Sequence, residues 1–266
     1  MAERPPIPIR TLADVLRESE PRPLPGPEKV RGEKNIYSTR FANNMAKLVA
    51  YGLREQFGDF FQGILPHDEG GLESTSWGSR GTGRLDVNYS TPELGLGLGI
   101  SLKSVHIPEE KSGRARRYTH NMKRNDEELR VESISYHTRQ PYAVMVALLF
   151  LPYDSCSDGT DVSSFGAWVE YLHELVGRKD PRDDVALFER GFIGLYDPDP
   201  SVNRMEFFDI DQPPPRKGRP QRLLPFAGFV SEVKRSYDQR NHKDFKWSDE
   251  VPLDEVPPPY GEPSDR

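Results

Sequence analysis

The stretch "GRLDVNYSTPELGLGLGISLKSV", Gly83–Val105, decides how this chain is read. It predicts two buried strands, 84–90 and about 94–106, joined through the turn-forming residues after Thr91. A strand core favours β-branched and aromatic side chains, and glycine weakens it. Here Asp86, Ser101 and Lys103 stand among glycines. Successive strand residues point to opposite faces. Leu85, Val87 and Tyr89 therefore share one face of the first strand, and Asp86, Asn88 and Ser90 the other. On the second strand Leu94, Leu96, Leu98, Ile100 and Leu102 share a face, opposite Gly95, Gly97, Gly99, Ser101 and Lys103. Glycine admits close approach of a ligand, so this face is expected to be an open floor. Asp86 and Lys103 would meet over it, with room for a metal and a phosphodiester. A half-exposed antiparallel pair with a glycine-rich outer face accounts for the same letters.

Two look-alike motifs fail on context. Gly95, Gly97 and Gly99 do not have dinucleotide-loop spacing, and their pattern continues as a strand instead of opening a helix. The run "GSRGTGRL", Gly78–Leu85, carries Arg84 and Leu85 where a P-loop needs Lys and Ser or Thr. Both are turn chemistry.

Working outward, Phe41, Met45, Leu48, Val49, Leu53 and Phe57 recur at helical spacing, which predicts a helix over 38–57. A turn-rich strand region follows at 63–66 and 73–77. Helices are predicted over 118–137, 163–176 and 225–239, and strands over 142–151, 190–196 and 204–210. The last two read as a hairpin around "DPDP", Asp197–Pro200. Residues 1–35 hold seven prolines, and read as a flexible segment with at most a short helix at 12–18. An acidic, proline-rich tail occupies 247–266. One α/β domain, 36–246, lies between these ends.

The chain of 266 residues is long enough for a sizeable core. A single cysteine, Cys156, excludes an internal disulfide framework and a cysteine-cluster zinc site, and suggests a reducing, cytoplasmic address. No run of about eighteen apolar residues predicts a membrane span, and the first residues lack the apolar stretch of a secretory signal. The net charge of -6 is unevenly placed. Residues 248–266 hold six acids and one Arg, whereas 111–124, "KSGRARRYTHNMKR", holds six Lys or Arg and no acid. A second basic run, "PRKGRPQR", spans 215–222. Local patches decide contact with phosphates more than net charge does, although either run also reads as a solvated loop.

Asp86, followed on the next strand by Ser101 and Lys103, resembles the PD-(D/E)xK nuclease superfamily, with its restriction-endonuclease-like fold. The likeness spans about 38–152. It includes a first helix bearing Glu55, the strands, a polar helix and a buried strand, the αβββαβ order of that core. Leu85 stands where the motif has Pro, and Ser101 replaces the second acid. The resemblance implies a central mixed sheet flanked by helices, with C-terminal α/β additions. It implies a Mg2+-dependent endonuclease that hydrolyses DNA, in restriction or defence against foreign DNA.

Asp86, Ser101, Lys103 and Glu55 would then be catalytic, and Asp86 with Glu55 or Glu128 would hold the metal. Glu127 and Glu132 are further candidates for the missing carboxylate. Carboxylate oxygens suit a hard cation, and an ammonium can offset charge on a transferring phosphate. Arg114, Arg116, Arg117 and Lys123 would grip phosphates of DNA. His120 and His137 invite a role as bases, but a helix-borne histidine is more often structural. A homodimer or a partner subunit of a defence complex suits double-strand cutting. Ser101 keeps another reading open, a nuclease-fold module without catalysis that binds nucleic acid or assembles with a partner. The acidic net charge keeps open an α/β protein with no nucleic-acid role.

Overall fold

The computed structural model describes residues 8–20, 31–58, 60–61, 63–67, 74–78, 81–91, 95–105 and 117–241, with the backbone alone at 31–35, 74–78 and 81–84. The chain is an α/β protein. Helix α1 (Leu12–Ser19) and helix α2 (Arg31–Gln56) precede strands β1 (Ser74–Gly78), β2 (Gly81–Leu85), β3 (Val87–Thr91) and β4 (Gly95–Ser104). Helix α3 (Met122–Arg139), β5 (Val144–Pro152), α4 (Ser164–His173), β6 (Arg190–Tyr196), β7 (Met205–Asp209), β8 (Leu224–Pro225) and α5 (Phe226–Asn241) follow. Strands β3 to β8 form one sheet in sequence order, with β4, β5 and β6 parallel and the outer pairs antiparallel.

Two apolar layers sandwich this sheet. Alternate residues of β5, Val144, Val146, Leu148 and Phe150, pack with Leu48, Val49 and Leu53 of α2 and Phe229 and Val233 of α5. The others, Met145, Ala147, Leu149 and Leu151, pack with Leu129 of α3 and Phe165 and Trp168 of α4. Every residue of β5 is buried, as expected of a parallel strand covered on both faces. Among the described residues no helix is long and apolar enough to cross a membrane.

Part of the N-terminal segment belongs to the folded body. Thr11 and Asp14 form a reciprocal cap at the start of α1, which satisfies amides the helix leaves open. Ile9, Leu12, Val15 and Leu16 are buried in the layer shared with α2, and Asn203 Oδ1 accepts a hydrogen bond from the Ala13 amide at 3.0 Å. Proline content suggested mobility; the short amphipathic run outweighs it here. The remainder of 1–35 that is not helix α1 or α2 lies largely outside the described residues.

The decisive stretch departs from simple alternation twice. The first strand bends at Asp86, where β2 leaves the main sheet to pair with β1. Leu85 therefore joins the α3 layer while Val87 and Tyr89 pack on the α2 side. A bulge shifts the register between Tyr89 and Ser90, and Leu96 passes to the α3 layer while Leu98, Ile100 and Leu102 stay on the other. An added residue re-aims side chains in this way.

The glycines do not leave an open floor. A Cβ at Gly97 would stand 3.0 Å from the Tyr237 ring, and one at Gly99 2.7 Å from Met145 Sδ and 2.9 Å from Leu85 Cδ1. Neighbouring side chains of the protein fill the space. Gly99→Ala is expected to cost about 1–3 kcal/mol through overpacking, read from the urea unfolding midpoint; no loss would mean that Met145 and Leu85 yield freely.

Candidate active site

Lys103 and Ser101 face α3, because Leu102 and Ile100 between them are committed to the opposite layer. Asp86 stands at the bend, one step beyond the last β3–β4 pair, Val87 with Ile100. Its Oδ2 accepts the Leu102 amide at 2.6 Å, replacing the strand partner that β3 no longer supplies. The bend and the hydrogen bond together set the aspartate beside the end of β4.

Helix α3 supplies the other half. Glu128, Glu132 and Tyr136 recur every four residues and so share one helix face. Glu132 Oε1 lies 2.9 Å and Glu128 Oε2 3.4 Å from Lys103 Nζ. Burial alone would lower the Lys103 pKa; Glu132, by charge and hydrogen bond, outweighs it with help from Asp86 and Glu128, so the ammonium is held above its ordinary value. Burial also works to raise Glu128, but hydrogen bonding to Arg124 and the charge of Lys103 bring its carboxyl below the usual range. Tyr136 is pushed up to about 12 by burial, then by Glu132 and Asp86. Lys103 is thus held as an ammonium beside Asp86, Glu128 and Glu132, suited to charge stabilisation and unsuited to acting as a base.

The neighbouring face of α3 holds the helix in place. Ser133 Oγ lies 3.0 Å from Leu187 O, and His137 Nε2 lies 3.2 Å from Glu189 Oε2. His137 is fully buried in these contacts, away from any base role, whereas His120 is exposed.

The other expected site residues are distributed unevenly. Glu55 is exposed on α2, the helix of the opposite layer, and makes no hydrogen bond or ion pair among the described residues. It is not brought to Lys103, because the sheet stands between the two layers. Glu127 is exposed and lies 3.8 Å from Lys123, itself 84 % exposed. Arg117 is exposed, its guanidinium over Gly159; Arg114 and Arg116 lie outside the described residues. Ser101 faces the right way but is sealed, its Oγ fully buried without a hydrogen-bond partner among the described residues.

An unsatisfied buried hydroxyl costs stability. Ser101→Ala should therefore leave the unfolding free energy unchanged or raise it by up to about 1 kcal/mol. A loss of more than about 1 kcal/mol in urea unfolding would mean that Oγ has a partner.

Sequence reasoning named Glu55 and Glu128 as metal ligands, with Glu127 and Glu132 as further candidates, and the structure brings Glu128 and Glu132 to Lys103. Tyr136 was missed, although four-residue spacing from Glu132 was a readable signal. Asp86, Glu128 and Glu132 are the carboxylates whose charge acts on Lys103. Among the described residues no group of three His, Cys, Asp or Glu is arranged to hold a metal ion. The fit is therefore to an ion taken on one or two carboxylates together with a phosphate, as Mg2+ commonly is, and not to a closed protein cage. Compared with family models, with curated proteins and with solved structures, the chain matches none.

Proposed function

We propose that the protein is a Mg2+-dependent endonuclease of the restriction-endonuclease-like class, hydrolysing DNA phosphodiester bonds in restriction or defence. One observation carries this reading: α3 returns Glu132 to 2.9 Å from Lys103, while Asp86 is fixed on the adjoining backbone of Leu102. Asp86 at the bend and Lys103 on β4 are joined by Glu132 of the following helix, which stands in for the carboxylate that Ser101 lacks. The element order α2, strands, α3, β5 is consistent with that class.

In this reading Asp86 and Glu132 supply the hard oxygen donors, with Glu128 at the rim. Bound Mg2+ would polarise the scissile phosphate and lower the pKa of a water. Lys103, as a permanent ammonium, offsets the negative charge that grows on the phosphate oxygens. Ser101 forms a neutral floor beneath them. Arg117 and Lys123, at the start of the α3 region, are exposed for contact with flanking phosphates.

A second reading draws on the lack of a three-ligand group among the described residues: a module that binds nucleic acid without cutting it. The two separate in one assay. The purified full chain is incubated with supercoiled and linear duplex DNA in Mg2+, Mn2+ or chelator. Metal-dependent nicking or cutting is expected. DNA binding without cutting on varied substrates would overturn the enzyme reading in favour of the module.

A further inference from the structure

Resting on the nuclease reading, we propose that the Tyr136 hydroxyl is a substrate contact of this site, donating a hydrogen bond to a non-bridging oxygen of the phosphate that Lys103 engages.

The placement follows from register. Strands β4 and β5 are parallel and α3 connects them, so α3 runs back against β4. From the Lys103–Glu132 contact, four helix residues advance about 6 Å while two strand residues return about 6.6 Å. Tyr136 thus stands level with Ser101, one step along from Lys103. The direction agrees with Gln140, the next residue of the same stripe, whose side-chain amide lies against Gly95 at the far end of β4.

The hydroxyl itself is unoccupied by the fold. Tyr136 is 2 % exposed, and its ring belongs to the apolar layer of Leu85, Leu129 and Met145. A buried phenol ordinarily finds a hydrogen-bond partner, yet among the described residues this hydroxyl makes no hydrogen bond. Ser101 is fully sealed, whereas Tyr136 keeps a residual exposure of 2 %. It stands in the field of Asp86 and Glu132, carboxylates that favour the protonated, donating form. A donor fixed at its ring end and without a partner among the described residues suits an anionic oxygen.

Tyr136→Phe removes one oxygen and keeps the ring in its layer, so an unchanged thermal midpoint is expected. Single-turnover cleavage of duplex DNA at saturating Mg2+ should slow by about 10- to 100-fold, with the half-saturating Mg2+ concentration unchanged. Phosphorothioate substitution at one non-bridging oxygen should slow wild type and have little further effect on the variant. An equal rate, or a change confined to Mg2+ half-saturation, would overturn the proposal, the latter because the hydroxyl would then serve Asp86.

Binding of thymidine 5′-phosphate with Mg2+, followed by phosphorus NMR, provides a readout independent of cutting. Weaker binding by the variant supports the contact, and equal binding, or none by wild type, overturns it. A wild type that binds this probe but cuts no DNA would sink the nuclease reading while leaving the Tyr136 comparison decisive.

Discussion

Glu189→Gln is expected to lower the unfolding free energy by about 3–5 kcal/mol, the range for breaking a buried ion pair from one side. Glu189 Oε1 accepts from Arg178 Nη1 at 2.8 Å and Arg240 Nη2 at 3.0 Å, while Oε2 accepts the Met145 amide at 2.7 Å and faces His137 Nε2 at 3.2 Å. The Arg178 side chain is 0 % exposed, and those of Arg240 and Glu189 are 6 % exposed. Two guanidiniums thus lean on one carboxylate, and among the described residues Arg178 Nε and Arg240 Nη1 already lack a partner. Glutamine keeps the shape but leaves both cations uncompensated. Its NH2 must also face N–H donors wherever it turns, since donors surround both carboxylate oxygens.

The effect should reach beyond stability, because the same carboxylate ties His137 of α3 to the starts of β5 and β6. Loosening that anchor loosens Glu132 on the same helix. Equilibrium urea unfolding provides the check, with a thermal midpoint lower by about 6–20 °C. Arg240→Met in the Glu189→Gln background should recover part of the loss, since it removes one of the stranded charges. A loss below about 1 kcal/mol would show that water, and not Glu189, carries the two arginines.

Lys103→Ala is expected to reduce Mg2+-dependent cleavage by at least 100- to 1000-fold, the typical cost of removing one fixed donor to a developing charge. The folded structure should tolerate it. The side chain is 16 % exposed and its partners Glu128 and Glu132 are 39 % and 28 % exposed, so these partly solvated pairs contribute modestly to stability. Because the charge it offsets grows in the transition state, the rate falls more than affinity. Lys103→Arg should not restore activity, because a planar guanidinium places its charge differently from a compact ammonium.

Asp86→Asn is the matched control. The amide oxygen can still accept the Leu102 N–H that stabilises the bend, while the charge needed for a hard cation is gone. Circular dichroism and unfolding should match wild type, and cleavage should be lost. If wild type cuts DNA and either variant cuts equally well, this cluster is not the active site.

Local pattern carried much of this protein into view. Helical spacing over 38–57 and 225–239 anticipated α2 and α5, and the apolar run before Pro152 anticipated β5, because periodicity records which face of each element is buried. Likewise Asp86, Ser101 and Lys103 were legible as polar residues on adjacent strands, and the turn at Asp197–Pro200 as the link between β6 and β7. Tertiary structure alone decided the rest. The bend at Asp86 and the bulge after Tyr89 moved Leu85 and Leu96 to the other face, since a one-residue change of register inverts a strand. The space over Gly97 is filled by Tyr237 and that over Gly99 by Met145 and Leu85, from other parts of the chain. Sequence reasoning ranked Glu55 above Glu132, yet the sheet lies between Glu55 and Lys103, whereas the return of α3 along β4 sets Glu132 against it. The Arg178–Glu189–Arg240 cluster joins residues from a loop, a strand start and a helix end. Sequence spacing records neighbours along one element, whereas contacts between elements depend on which face and register each adopts when they pack.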